Sequence, residues 1–147
     1  MGQMGRRIAA ITLATSLTLI GGAVAAESAS AWVCNTNQEC LWSAANQAGQ
    51  TWRGADNNLW NYGTSWYLNT TTLLWAGDGA NLNVSSADSE DYARVTTFYY
   101  NSQMRGACYT APAGRLIQSF TTITLSGGTG AGNANDRLGS HAFSLQC

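Results

Sequence analysis

Short runs of alternating apolar and polar residues, separated by polar turns, make up most of the chain beyond Ala31. Val95–Tyr100 shows this pattern most clearly, because its alternate side chains would fall on opposite faces of a strand. Ser65–Trp75 and Leu116–Leu125 are rich in threonine, aliphatic and aromatic residues, and His141–Cys147 alternates large and small side chains. These compositions favour strands. No segment beyond Ala31 has a helical period, so we predict an all-β sandwich or barrel.

Three stretches rich in Asn, Gly, Asp and Ser separate the predicted strands. These residue types favour turns, so we predict loops at Asp56–Thr64, Ala76–Asp91 and Ser126–Asn135.

Two other segments each read as a strand, a polar bend and a glycine, and they form an internal repeat. In both copies an aromatic residue precedes the glycine by seven positions and a serine follows much later: Trp42, Gly49 and Ser86 in the first copy, and Tyr99, Gly106 and Ser140 in the second. A glycine at this point suits a hairpin that folds back over its own sheet, since that conformation needs a positive φ. The aromatic ring would pack on the folded hairpin, and the serine would hydrogen-bond its main chain. Two copies of one supersecondary unit predict a single shared core.

The N-terminal segment has the organisation of a secretory signal peptide. Arg6 and Arg7 form a basic region, Ile8–Ile20 is apolar, and small-x-small cleavage patterns end at Ala25 and Ala31. The alternative is a membrane anchor, but the apolar run is too short to cross a bilayer. We therefore predict a signal peptide at 1–31, cleaved between about residues 25 and 31. The mature domain would be 32–147, secreted and extracellular, with no membrane attachment.

Charge argues against nucleic acid as a partner. Without Arg6 and Arg7, five of the seven basic residues remain against seven or eight acids, and the chain contains no lysine. A mildly acidic protein with no basic patch has little attraction for nucleic acid or for anionic membranes.

The four cysteines predict two disulfides, because paired cysteines are typical of small exported domains. Three pairings are possible. We favour Cys34 with Cys40 as a local link, and Cys108 with Cys147 as a long closure worth about 3–4 kcal/mol. The spacing of Cys34 and Cys40 is not that of a zinc site, and His141 is the one histidine available.

The repeated aromatic, glycine and serine pattern resembles the Greek-key motif of the βγ-crystallins, which this chain contains twice. The export signal, the cysteine pair that runs into Cys40-Leu41-Trp42, and the segment Asn135–His141 are together similar to the secreted Streptomyces-type metalloproteinase inhibitors, which use this fold. The resemblance covers most of Val33–Cys147 and matches Asn57–Gly79 poorly. It implies a βγ-crystallin-like Greek-key sandwich of two motifs, acting as a monomeric inhibitor of secreted metalloproteases.

The same resemblance implies a contact segment for the protease. Members of the family resemble substrates at a bond beside a disulfide-bonded cysteine that an apolar residue follows. Cys108 and Tyr109 are the similar pair here, and Thr110, Ala111 and Pro112 continue the segment. A rigid loop at these five positions would occupy the protease cleft. The alternative is that Cys108 is a buried strand residue, as half-cystines usually are.

Calcium is a candidate ligand, since many βγ-crystallin domains bind it through two Asn/Asp residues followed by paired hydroxyls. In the first copy Asn81 and Ser85 match this pattern, but Leu82 stands at the second ligand position. In the second copy Asn135 and Asp136 match it, but Gly139 lacks the hydroxyl. Because calcium requires six to eight oxygen ligands, we expect no bound metal or other cofactor and assign these residues to turns.

Two groups of residues could support catalysis. Asp88, Glu90 and Asp91 form a carboxylate cluster, and carboxylate pairs held about 5–10 Å apart hydrolyse glycosides. A solvated acidic turn is the commoner reason for such a cluster. His141 could serve as a general base, but no nucleophile motif accompanies it. We therefore expect that the protein is not an enzyme.

The aromatic residues leave a second function open. Six tryptophans and six tyrosines are many for one small domain, and most should be buried. Trp52, Trp60, Tyr62, Trp66 and Tyr67 lie near loops rich in Asn and Gly, where some could stack on sugars. The alternative function is therefore a non-enzymatic glycan-binding or antimicrobial module.

Overall fold

A computed structural model describes residues 33–55 and 58–147, so the predicted signal peptide at 1–31 lies outside the described residues. Within these ranges the chain forms nine strands and two single-turn 3-10 helices. The strands are β1 (Gln38–Ala44), β2 (Ala48–Ala55), β3 (Ser86–Ser89), β4 (Thr96–Asn101), β5 (Arg105–Ala111), β6 (Leu116–Ile117), β7 (Thr124–Leu125), β8 (Gly132–Asn133) and β9 (Ser140–Phe143). The helical turns are Tyr62–Thr64 and Phe120–Thr122.

All the strands pair antiparallel, in a four-stranded sheet of order β2-β1-β3-β6, a three-stranded sheet of order β5-β4-β9 and the small pair β7-β8. Each of the two larger sheets is extended at one edge by a segment that lies beyond the other hairpin in the chain. β6, which follows the second hairpin in the chain, pairs with β3, which follows the first. Leu59, also beyond the first hairpin, exchanges two main-chain hydrogen bonds with His141 in β9. The two halves are therefore interlocked, and the prediction of an all-β fold built from two Greek-key motifs is confirmed.

The first hairpin, β1-β2, is folded over its sheet and held there by a serine, as the repeat predicts. Gly49 has a φ of +80°, and a Cβ built on it would lie 2.5 Å from the hydroxyl of Ser43. The Ser86 hydroxyl donates to the carbonyl of Ala44 at 2.7 Å and accepts from the amide of Gln47 at 3.2 Å.

The second hairpin, β4-β5, repeats the arrangement residue by residue. Gly106 has a φ of +81°. The Ser140 hydroxyl donates to the carbonyl of Asn101 at 2.6 Å and accepts from the amide of Met104 at 3.1 Å. Since both serines are fully buried, each hairpin is fixed by hydrogen bonds that water cannot replace.

One hydrophobic core fills the space between the sheets. Leu41 of β1 and Phe98 of β4 both belong to it, and the ring of Phe98 meets that of Phe120 edge to face with centroids 5.1 Å apart. The other large members are Tyr62, Tyr67, Leu74, Val84, Ile117, Leu125 and Leu138. Both halves of the chain contribute, so the prediction of a single shared core is confirmed.

The strand boundaries correct four sequence predictions. The predicted loop Ser126–Asn135 contains β8. Ser65–Trp75 is not a strand: its chain reverses at Asn69, whose φ is +58°, and the single bridge Trp66 to Leu73 spans the turn. Leu116–Leu125 is interrupted because the side chain of Ser119 accepts from the amide of Thr121 and caps a 3-10 turn. The predicted loop Ala76–Asp91 contains β3, a central strand of small residues of which three are polar.

The disulfides join Cys34 to Cys40 and Cys108 to Cys147, which confirms the favoured pairing. The second link connects β5 to the C-terminal end, 39 positions away. No helix in the described part of the chain is long and apolar enough to cross a membrane.

Candidate functional site

The predicted protease-contact segment lies in and just beyond strand β5. Cys108, Tyr109, Thr110 and Ala111 are residues of the strand, so the prediction of a loop at these positions is wrong. Cys108 is only 6% exposed and packs against Tyr99 and Ala142, and Ala111 is buried in the main core. Pro112 is the first residue beyond the strand and is exposed. The sequence does not reveal this placement, because a half-cystine on a strand and one in a braced loop have the same local composition.

β5 is an edge strand whose outer side is only partly covered. Cys108 exchanges both of its main-chain hydrogen bonds with Ser126 on that side, at 2.9 and 3.0 Å. In an antiparallel ladder alternate residues point their main-chain groups the same way, so Thr110 also directs its N–H and C=O outward. No described segment pairs with these two groups.

The covalent and hydrogen-bonded surroundings of Thr110 hold the edge in place. The Thr110 hydroxyl accepts from the amide of Cys147 at 3.1 Å and lies 2.9 Å from the hydroxyl of Thr97. Beyond Pro112 the chain turns and is fixed again, because the amide of Gly114 donates to the carbonyl of Asp91 at 2.8 Å. β5 is therefore fastened at the disulfide and at the following turn.

Two carboxylates of the cluster, those of Glu90 and Asp91, bind neighbouring residues of the same segment. Asp91 is buried, accepts from the amides of Ala93 and Arg94, and forms an ion pair with the Arg94 guanidinium at 2.5 Å. Glu90 accepts from the Tyr92 hydroxyl at 2.7 Å. Burial, with a smaller contribution from Glu90, raises the pKa of Asp88. Asp91 is thus bound to its own turn, and this cluster supports a structural role.

His141 is fully buried in the core. Its Nδ1 lies 2.8 Å from the hydroxyl of Tyr62, and the rings of Trp52, Phe98 and Phe143 surround it with centroids 5.6–6.1 Å away. Burial raises the pKa of Tyr62 well above its ordinary value, with nearby Glu39 and Tyr67 adding to the effect. A histidine enclosed in this way cannot reach a substrate without unfolding of the core.

The structure brings together three of the four calcium candidates. The Ser85 hydroxyl donates to one carboxylate oxygen of Asp136 at 2.8 Å, and the Asn135 amide donates to the other at 2.6 Å. Asn81 is exposed and makes no side-chain hydrogen bond to them. Residues from the two motif copies therefore meet, and both carboxylate oxygens of Asp136 are already hydrogen-bonded.

Calcium does not fit this cluster. The buried amide of Asn83 donates to the carbonyls of Gly77 and Asp136 at 2.6 and 2.8 Å, and these carbonyls are oxygens of the kind calcium takes as ligands. Asp136 is the single carboxylate in the cluster, and no group of three His, Cys, Asp or Glu side chains that could hold a metal occurs among residues 33–55 and 58–147. A neutral amide nitrogen therefore already satisfies these carbonyls.

The aromatic residues singled out in the sequence divide into two groups. Tyr62 and Tyr67 are buried and Trp52 is half-buried, whereas Trp60 and Trp66 are 58% and 54% exposed. The exposed pair leaves two indole rings available on the surface.

A cavity of about 390 Å³ lies near Trp60, and sequence reasoning missed it. Its wall comes from four separate segments, so no local pattern could have indicated it. The residues that line it are Asn61, Gly63, Trp75, Tyr100, Asn101, Ser102 and Gly139.

No family model and no characterised protein sequence matches this chain. A search of solved structures finds a structure described as "Evolution of the eye lens beta-gamma-crystallin domain fold", with a TM-score of 0.53 and 14% sequence identity. The similarity covers 78% of this chain and 95% of that one. At this identity the comparison shows the fold alone, and the chain has the βγ-crystallin domain fold.

Proposed function

We propose that this protein is a secreted, monomeric, non-enzymatic inhibitor of peptidases, with metalloproteases as the target class. The observation that carries the proposal is the free outer edge of β5 at Thr110, held between a disulfide and an anchored turn. Proteins often recognise an extended peptide by adding it as a strand to a sheet edge. The edge at Thr110 presents main-chain groups in that form, and Pro112 and Ala113 extend it into solvent.

The rigidity of the β5 edge favours a role as an inhibitor over that of a substrate that the protease cleaves and releases. A segment that is already ordered loses little conformational entropy on binding, so its affinity is higher than that of a flexible substrate. The link from Cys108 to Cys147 would also hold the two sides of a cut together.

The two disulfides suit an oxidising compartment, as expected for an exported protein. The near-neutral charge of the chain favours a protein partner over nucleic acid or a membrane surface.

The test is inhibition of a thermolysin-type enzyme by the purified protein, with the stoichiometry measured by light scattering. Ala113→Arg places a long charged side chain in the exposed turn and should raise the inhibition constant at least tenfold. Ala131→Arg is the matched control, because Ala131 is also exposed and lies in another loop. Full-strength inhibition by the Ala113 variant, or equal losses in both variants, would remove the β5 edge from the contact.

A further inference from the structure

Main-chain hydrogen bonds hold the wall of the cavity beside Trp60 in place. The amide of Tyr62 donates to the carbonyl of Gly139 at 2.8 Å, and the amide of Gln103 donates to the carbonyl of Trp60 at 2.7 Å. These hydrogen bonds tie the segment after β2 to the turn after β4 and to the start of β9. The wall is therefore in place before any ligand arrives.

Two glycines keep the cavity open. A Cβ on Gly63 would lie 3.4 Å from the ring of Trp75 and 3.2 Å from the side-chain oxygen of Asn61. A Cβ on Gly139 would approach main-chain atoms of Tyr100 and Asn101 to 2.7 Å. Larger side chains at these positions would fill the cavity or push its walls apart.

The lining combines aromatic rings with neutral polar groups. Trp75 and Tyr100 supply rings, and Asn61, Asn101 and Ser102 supply amides and a hydroxyl. The indole N–H of Trp75 has no hydrogen-bond partner in the described part of the chain. This nitrogen is closed to solvent, so Trp75 contributes ring carbons to the cavity and not its N–H.

Charge narrows the class of ligand. None of the lining side chains is charged. Asp78 is adjacent, but it accepts from the Tyr100 hydroxyl at 2.6 Å and lies 3.6 Å from the Arg137 guanidinium, which itself stacks over the Tyr100 ring at 5.0 Å. The opposite charges of Asp78 and Arg137 offset each other, so the cavity attracts neither anions nor cations strongly.

We propose that this cavity binds a neutral saccharide of pyranose rings. Such a ligand has apolar C–H faces that pack on aromatic rings and hydroxyls that pair with side-chain amides, which is the combination found here. The cavity shares no residue with β5, so saccharide binding is independent of protease inhibition.

The experiment is a titration of the intact protein with triacetylchitotriose and with cellotriose, followed by tryptophan fluorescence and by amide NMR. We expect saturable fluorescence changes and shifts of the Gly63, Asn101 and Ser102 amides with at least one trisaccharide. The two arms separate an N-acetylated ligand from a plain glucan. An anionic hyaluronan tetrasaccharide should bind at least tenfold more weakly, and equal or tighter binding of it would overturn the assignment of a neutral ligand.

Asn101→Ala removes an exposed side-chain amide and should weaken binding about tenfold, through the loss of one or two hydrogen bonds. Asn81→Ala is the matched control, because it removes an exposed amide outside the cavity and should bind as the wild type does. The absence of any response to either trisaccharide up to about 10 mM would overturn the proposal. So would equal binding by the two variants, or NMR shifts confined to residues outside the cavity.

Discussion

Replacing Glu39 with glutamine should change how the stability of this protein depends on pH. Glu39 is 1% exposed on β1, and the Thr96 hydroxyl of the opposite sheet donates to its carboxyl at 3.3 Å. Burial raises the pKa of this carboxyl well above its ordinary value, and Asp88 and Asp91 add to the effect. The hydroxyls of Ser89 and Thr96 favour the charged form but do not offset the burial. Glu39 is therefore protonated in the folded protein at pH values where an exposed glutamate is charged.

The sign of the effect follows from the proton balance. Below the unfolded pKa of about 4.3 both states hold the proton, and the contribution of Glu39 to stability is fully present. Above that value the unfolded chain releases the proton while the folded chain retains it. The free energy of unfolding then falls by about 1.4 kcal/mol per pH unit, and this loss continues until the pH passes the folded pKa.

Glutamine is neutral at every pH and keeps the shape of the protonated acid, so Glu39→Gln removes this slope. The variant should be within about 1 kcal/mol of the wild type at pH 4, since glutamine keeps an oxygen that can accept from the hydroxyls of Ser89 and Thr96. It should then gain on the wild type by about 1.4 kcal/mol for each pH unit above the unfolded pKa, until the pH passes the folded pKa.

The assay is urea unfolding at constant ionic strength from pH 4 to pH 8, followed by tryptophan fluorescence. The wild type, unfolded in the same buffers, is the reference for each pH. A Glu39→Gln difference that stays constant over this range would refute the conclusion that the buried acid is protonated.

Four further predictions concern the fold. Ser140→Ala removes both hydrogen bonds that hold the second hairpin and should lower the free energy of unfolding by about 1–3 kcal/mol in urea. Gly106→Ala brings a Cβ to 2.8 Å from a carbonyl oxygen at a φ of +81°, so it should cost more than Gly127→Ala, which meets no atom within 4 Å; equal midpoints would contradict this. Replacing Cys108 and Cys147 together with alanine should cost about 3–4 kcal/mol in urea unfolding, and unchanged stability would refute a contribution from the closed loop. Millimolar calcium should leave the melting temperature unchanged, and a rise would indicate a bound ion.

The sequence predicts the folded hairpins well because their determinants are local. Gly49 and Gly106 are required by a positive φ within each hairpin, and Ser86 and Ser140 bond to main-chain atoms at the same position in each copy. Such features leave a repeated trace in the chain. Ser86–Ser89 leaves no such trace, because its small, mostly polar residues form a strand only through pairing with β1 and β6.

The sites are less predictable than the hairpins, because they depend on contacts between residues that are far apart in the sequence. The cavity takes Asn61, Trp75 and Asn101 from three of its four segments, which meet only after the two halves interlock. In the sequence the predicted protease-contact segment is recognisable only by its resemblance to a family pattern, a disulfide-bonded cysteine followed by an apolar residue. Its position on the outer edge of β5 follows from the pairing of Cys108 with Ser126, which no local pattern records.

By itself the sequence determined the all-β class, the two-fold repeat with its glycines and serines, and the favoured pairing of the four cysteines. Each of these depends on the conformational needs of a residue type or on a spacing along the chain. Only the tertiary structure decided that Glu39 and His141 are sealed in the core, that Thr110 lies on a free edge, and that a cavity opens beside Trp60. These outcomes depend on which strands become neighbours, and that is settled by long-range packing of the two halves around one core.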